Sequence, residues 1–440
     1  MNSDLLISAA WVVPVQPQGA LENHSIVVNA GKITALLPTE EALQQFNPEV
    51  HLDCPQHILM PGLINAHTHA AMNLFRGYAD DLPLHDWLNH HIWPAEARWL
   101  SESFVRDGTE LAIAEMIRGG TTTFNDMYLF PDVTARCVQQ AGMRASIGLV
   151  VIDFPTAWAK DADEYLHKGL TLADELRHDT LVRTTLAPHA LYTVNDNMLK
   201  HIGVLSNELE LPVHIHLQET GQEVEDCLAK YNKRPLEFMD EIGLVSHNLQ
   251  AVHMTQTTSE DIALLKEHHS HVIHCPESNM KLASGACPVA ELMDQGVNVA
   301  LGTDSAASND DLDMFGEMRT AALLGKHTIA DASKVTAQQV LEMATLNGAK
   351  ALGIADQTGS LEVGKSADMI TVSLDSIETL PMYNPVSQLV YSCSRNNVTD
   401  VWVAGKQLLH NQKLTTLDEA DLIVKAKSWQ DKIASTAAGS

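Results

Sequence analysis

Short apolar runs alternate with longer stretches of helical periodicity through most of this chain, and each run stops on a polar or ionisable residue. Eight runs can be counted: 57–69, 121–126, 144–153, 182–189, 212–219, 249–253, 271–277 and 297–304. Between the first two, the stretch from Ser101 to Gly120 opens on serine, carries apolar Leu111, Ala114 and Ile117, and stops on glycine, as a helix should. Eight strands separated by helical lengths predict an α/β fold, a (β/α)8 TIM barrel with its active site at the C-terminal ends of the strands. The two ends of the chain have another texture. The segments 5–13, 25–33, 358–364, 369–375 and 398–406 read as strands joined by tight turns. Both ends are therefore expected to pair into a small β-sandwich domain, residues 1–56 plus 366–440, beside a barrel over 57–365.

Composition narrows the setting. The chain has 440 residues and 45% hydrophobic content, enough for a large core. No apolar run approaches the roughly 18 residues of a membrane span. The opening lacks a basic segment and a cleavage pattern, so it reads as a first strand and not as a signal peptide. Six cysteines without C-x-x-C spacing suit a reducing cytoplasm. A net charge of −28 argues against nucleic acid and anionic membrane as partners.

The strand ends carry the chemistry. His67 and His69 close the first run, His216 the fifth and Asp304 the eighth. Side chains two apart on an extended strand face the same side, so His67 and His69 can converge on one ion. Three imidazoles and a carboxylate from three strands are what a catalytic zinc needs, with a position left open for water. With 22 histidines in the chain, His-x-His spacing alone decides little, since a pair is expected by chance. Context separates the pairs: His269/His271 lies in a polar, solvated stretch. His214 shares a face with His216 but lies deeper, where a hydrogen-bonded barrel layer is expected.

The pieces Pro61-Gly-Leu-Ile-Asn-Ala-His67-Thr-His69, His216-Leu-Gln-Glu219, His274-Cys-Pro-Glu-Ser-Asn279, Gly302-Thr-Asp304-Ser and Gly364-Lys-Ser-Ala-Asp368 resemble the amidohydrolase superfamily. Within it, 69–77, 92–96 and Ala187-Pro-His189-Ala-Leu-Tyr look most like the 5-methylthioadenosine/S-adenosylhomocysteine deaminase family. The resemblance implies one zinc on His67, His69, His216 and Asp304, with Fe2+ or Mn2+ as substitutes. It implies a small-molecule nucleoside substrate, with Glu219 and His253 acting on the base and Glu96 and His189 contacting the nucleoside. Asp304 would accept a proton from water, Glu219 would protonate ring nitrogen N1, and His253 would hold the attacking oxygen. On an extended strand Glu219 faces away from His216, so a turn must follow the strand. A homo-oligomer is expected. Guanine- and triazine-type hydrolases share much of the pattern and give the alternative substrate class. A non-catalytic barrel serving as a binding module is the remote one. The carboxylate of S-adenosylhomocysteine calls for a cation such as Arg76, Arg98, Arg144 or Arg183. An apolar methylthio group would instead suit a pocket of aromatics such as Trp93, Trp99, Phe154 or Trp158.

Overall fold

The structure, a computed structural model, describes residues 1–437. Four strands open the chain: β1 (Asn2–Val12), β2 (Leu21–Asn29), β3 (Lys32–Pro38) and β4 (Asn47–Pro61). Eight parallel strands follow, each with helical segments after it: β5 (Leu63–Thr68), β6 (Thr121–Asp126), β7 (Arg144–Val151), β8 (Val182–Pro188), β9 (Val213–Leu217), β10 (Leu249–His253), β11 (His271–His274) and β12 (Asn298–Leu301). The tail adds β13 (Met369–Ser373), β14 (Val398–Val403), β15 (Lys406–His410) and β16 (Lys413–Leu414). Strands β5 to β12 lie in sequence order as one sheet, the eight-stranded barrel expected from the alternation of runs. The other eight form a mixed sheet in the order β16-β15-β14-β13-β4-β1-β2-β3, so both chain ends do build one small β unit.

The barrel closes where β12 meets β5. The Asp304 N–H donates to the His67 carbonyl at 3.0 Å across this seam, while the Gly302 N–H reaches the His274 carbonyl of β11 at 3.0 Å on the other side. A Cβ on Gly302 would stand 2.8 Å from the His67 backbone nitrogen, so only glycine permits this approach. The seam of the barrel thus passes through two of the expected metal ligands.

The first run behaves differently from the single strand that its apolar character suggests. Residues 57–61 belong to β4, between β1 and β13, and the barrel strand begins only at Leu63. Gly62 makes the transfer: its N–H reaches the Asp368 carbonyl at 3.0 Å, while a Cβ there would sit 2.1 Å from Thr122. The tail differs too. Residues 358–364 are turns, anchored where Leu361 N–H donates to the Pro14 carbonyl at 2.9 Å. Two helices, Pro385–Tyr391 and Glu419–Ala437, interrupt and end the strand-rich tail. The second lies on the barrel, with Trp429 edge-on to Phe104 at 5.3 Å between ring centroids. Phe104 belongs to the helix Glu102–Arg118, which Ser101 caps by accepting the Phe104 N–H at 3.3 Å, as the sequence signature requires.

A buried ion pair fastens the barrel floor to the β sheet. Arg144, the first residue of β7, donates through Nε to Asp368 Oδ2 at 2.7 Å and through a terminal nitrogen to Ser366 at 3.1 Å. Asp368 also accepts the Ala404 N–H at 2.7 Å. Removing one partner of such a pair strands a desolvated charge, so Asp368→Ala should lower unfolding free energy by about 3–5 kcal/mol. Urea denaturation checks this; a loss below about 1 kcal/mol, the value of an exposed pair, would contradict it.

Candidate active site

The C-terminal strand ends supply the site. His67 and His69 come from the end of β5, His216 from β9, and Asp304 from the loop after β12. Their ligand atoms all lie within 4.8 Å of one another, and all four residues are buried or nearly so. His67 Nε2 is 3.3 Å and His69 Nε2 3.2 Å from Asp304 Oδ1, and the Nε2 atoms of His67 and His216 are 3.2 Å apart.

Hydrogen bonds on the far side of each ring fix which nitrogen faces inward. His69 Nδ1 donates to the Met127 carbonyl at 2.5 Å and His216 Nδ1 to the His189 carbonyl at 2.8 Å. His67 Nδ1 meets His214 Nε2 at 2.7 Å. Gln250 Nε2 donates to the Ala351 carbonyl at 2.7 Å, which turns its Oε1 toward His214 Nδ1 at 2.8 Å. His214 therefore carries its hydrogen on Nδ1 and accepts from His67 Nδ1. His214 is the hydrogen-bonded barrel-layer residue expected of it. All three Nε2 lone pairs then converge on a carboxylate. Lone pairs and an anion facing one another without solvent repel, and a divalent cation is what relieves the cluster. The donor set fits zinc.

Asp304 is positioned with care. Its Oδ2 accepts from Ser278 at 2.7 Å and Ser308 at 2.9 Å. Burial lowers the His67 imidazole from its ordinary range. Asp304 sits at φ 60 and His253 at φ 75, left-handed backbone that costs a non-glycine residue about 1–2 kcal/mol. Ser278 and Ser308 were absent from the reading of the sequence; the signal for the first was its place in the run His274 to Asn279. Ser305, next to Asp304, lines the cavity, and His274 Nδ1 is buried with no hydrogen-bond partner among the described residues.

A cavity of about 570 Å³ opens beside these residues. His69, His216, Asp304, Glu219, His253, His189 and Glu96 all line it, so the structure brings every expected site residue except the fully buried His67 to one surface. Gln218, at φ 50, provides the turn after β9 that swings Glu219 to the side of His216. Burial raises the Glu219 carboxyl well above its usual range, and the neighbouring carboxylates Asp304 and Glu223 add to this. His253 Nε2 is 3.7 Å from Glu219 Oε2, and burial pushes its imidazole down to about 3. Asn279 Nδ2 holds His253 Nδ1 at 3.0 Å. His189 is likewise pushed down to about 3, by burial first and then by His69 and His67. On the helix Trp93–Trp99, Glu96 accepts from the Tyr128 hydroxyl at 2.6 Å; burial raises its carboxyl and that bond partly offsets the shift.

The aromatic expectations divide. Trp93 and Phe154 line the cavity, with ring centroids 6.0 Å apart. Trp99 packs edge-on to Trp429 and Trp158 against Tyr165. Of the four arginines, Arg144 is held by Asp368, Arg76 by Glu115 and Arg183 by the Gly353 carbonyl, while Arg98 is exposed. Among the described residues none of the cavity's lining is Lys or Arg.

Purified protein should carry a single divalent ion per chain by elemental analysis, and His216→Ala should carry little or none. Equal metal content in the two would break the four-ligand assignment.

Residues 58–408 match the amidohydrolase family pattern. The chain is 49% identical over 431 residues to a 5-methylthioadenosine/S-adenosylhomocysteine deaminase of Teredinibacter turnerae, covering 98% of each chain. It is 39% identical over 436 residues to a 5'-deoxyadenosine deaminase of Methanosarcina acetivorans, covering 99% of each. A crystal structure of an adenosine deaminase from Xanthomonas campestris with bound zinc superimposes with a TM-score of 0.97 at 51% identity, over 99% of both chains. With the eightfold barrel and its histidine–aspartate cluster, these likenesses show that the chain belongs to the amidohydrolase family, among its 5-methylthioadenosine/S-adenosylhomocysteine deaminases.

Proposed function

We propose that this protein is a zinc-dependent deaminase that hydrolyses the 6-amino group of 5'-methylthioadenosine, releasing ammonia and an inosine-type product. The observation that carries the reading is a pair of buried carboxyls on one cavity, Asp304 within the ligand cluster and Glu219 beside it. Burial raises the Glu219 carboxyl well above its usual range, which suits it to donate a proton, while Ser278 and Ser308 orient Asp304.

Zinc, when bound by His67, His69, His216 and Asp304, supplies a water whose pKa falls from 15.7 to about 7. Asp304, its geometry fixed by Ser278 and Ser308, would take up the proton of the attacking water. Glu219 donates a proton to N1 of the purine as C6 is attacked, which relieves the loss of aromaticity. A positioned acid of this kind contributes roughly 10²- to 10⁴-fold. His253, neutral and beside Glu219, hydrogen-bonds the incoming oxygen. Glu96 accepts the 2'- and 3'-hydroxyls of ribose while Tyr128 holds its other lone pairs, and His189 contacts the nucleoside from the end of β8. Charge-assisted bonds like those to Glu96 are worth about 1.5–3 kcal/mol each.

The cavity favours an apolar 5' substituent. Trp87, Trp93 and Phe154 line it, and the arginines that could meet a carboxylate are engaged elsewhere or exposed. The amino-acid tail of S-adenosylhomocysteine would have to be buried without a cationic partner, an arrangement that costs affinity. Six unpaired cysteines support placement in the cytoplasm. No helix among the described residues is long and apolar enough to cross a membrane.

Ammonia release from methylthioadenosine, S-adenosylhomocysteine, adenosine, adenine and guanine, compared at equal enzyme, tests the substrate. Methylthioadenosine should give the highest kcat/KM; a free base turning over as well as the nucleoside would defeat the assignment. Glu219→Gln should keep its metal and lose about 10²- to 10⁴-fold in kcat, and an unchanged kcat would remove Glu219 as the acid. Glu96→Ala should impair nucleosides selectively, whereas an equal loss for adenine would show that Glu96 does not read ribose.

A further inference from the structure

Glu223 is a buried carboxylate that the reaction just described does not use. It lies in the first turn of the helix Gly221–Tyr231, is 7% exposed, and is absent from the cavity lining that contains Glu219. An acidic residue three places after an N-cap usually reaches back to the backbone N–H of the cap itself. Here the cap is Thr220, whose side chain accepts the Glu223 N–H at 3.3 Å. The Glu223 carboxylate does not return the bond to Thr220. It passes the cap and accepts from Gln218 N–H at 3.0 Å through one oxygen and from Glu219 N–H at 2.9 Å through the other.

These two amides flank the left-handed Gln218, the residue whose φ of 50 turns Glu219 toward the cavity. The remaining bonds of the turn converge on the same peptides. Thr255 donates to the Glu219 carbonyl at 2.7 Å, and the Gln218 side-chain amide is held by Asp261 at 3.1 Å and by Leu236 N–H at 3.2 Å. A backbone well that is unfavourable for glutamine persists only when its surroundings over-determine it. One buried carboxyl that accepts both N–H groups, one on each oxygen, restrains the two peptides at once; burial pushes Glu223 up to about 7, and these two bonds work against that shift.

We propose that Glu223 is a positioning residue for the reaction: it clamps the 218–219 backbone in the turned form and so aims the Glu219 carboxyl at the substrate ring. This rests on the reading of Glu219 as the proton donor. Helix capping alone would not need this arrangement, since Thr220 already caps the helix and both carboxylate oxygens are spent outside it.

The test uses the zinc-loaded full chain and methylthioadenosine, with kcat, KM and zinc content measured for Glu223→Ala, Glu223→Gln, Glu219→Gln and the double variant Glu223→Ala/Glu219→Gln. A misplacement of about 1 Å in a reacting group can lose about 10²-fold, so Glu223→Ala is expected to lower kcat by about that factor. KM and zinc content should change little. Glu223→Gln, which keeps one acceptor oxygen, should fall between the alanine variant and the wild type, and it carries the test if the alanine variant does not fold. Groups acting through one another are not additive, so the double variant should turn over no more slowly than Glu219→Gln. An equal fractional loss in both backgrounds, or a wild-type kcat in Glu223→Ala or Glu223→Gln, would overturn the proposal. So would a loss that follows zinc content or KM alone. Normal turnover by Glu219→Gln would instead sink the proton-donor reading on which it rests.

Discussion

Three imidazole lone pairs and a carboxylate held together out of water form the constraint around which the molecule is organised. The hydrogen bonds that aim them come from four places in the chain: the loop after β6, the end of β8, the layer His214–Gln250, and Ser278 with Ser308. Two of the participants, His67 and Asp304, also carry the backbone bond at the barrel seam. The same geometry therefore closes the fold and assembles the ligands. Gly302 is the small residue that allows both, because any side chain there would push β12 away from β5.

Much of this was legible in the sequence because barrel strands are short, buried and terminated by function. All eight apolar runs became strands, and His67, His69, His216 and Asp304 met as their positions at strand ends required. The break at Gly62 was hidden because a strand that leaves one sheet and enters another stays apolar throughout. Periodicity registers burial and not the identity of the neighbour. The tail helix with Trp429 was obscured for a related reason: its hydrophobic face is narrow, and much of the helix stands in solvent. Glu223 was invisible because an acidic residue in a first helical turn reads as an ordinary cap, and only coordinates reveal that its bonds go elsewhere.

The cavity's character also follows from where its walls come from. Its chemistry sits on rigid strand ends, while much of its apolar wall is drawn from the segment 84–100 and the loop after β7. Loops over a fixed barrel can alter the accepted substituent without disturbing the reacting groups. That separation fits the different adenosine-type substrates in the names of the proteins this chain is similar to.

Strand β4 is flanked by β1 from the beginning of the chain and by β13 from its far end. During synthesis on a ribosome, the outer edge of β4 stays bare until some three hundred further residues have emerged. A bare edge is a template for pairing with a wrong neighbour. The small sheet is thus completed only after all eight barrel strands have been made, although its first strands are the earliest.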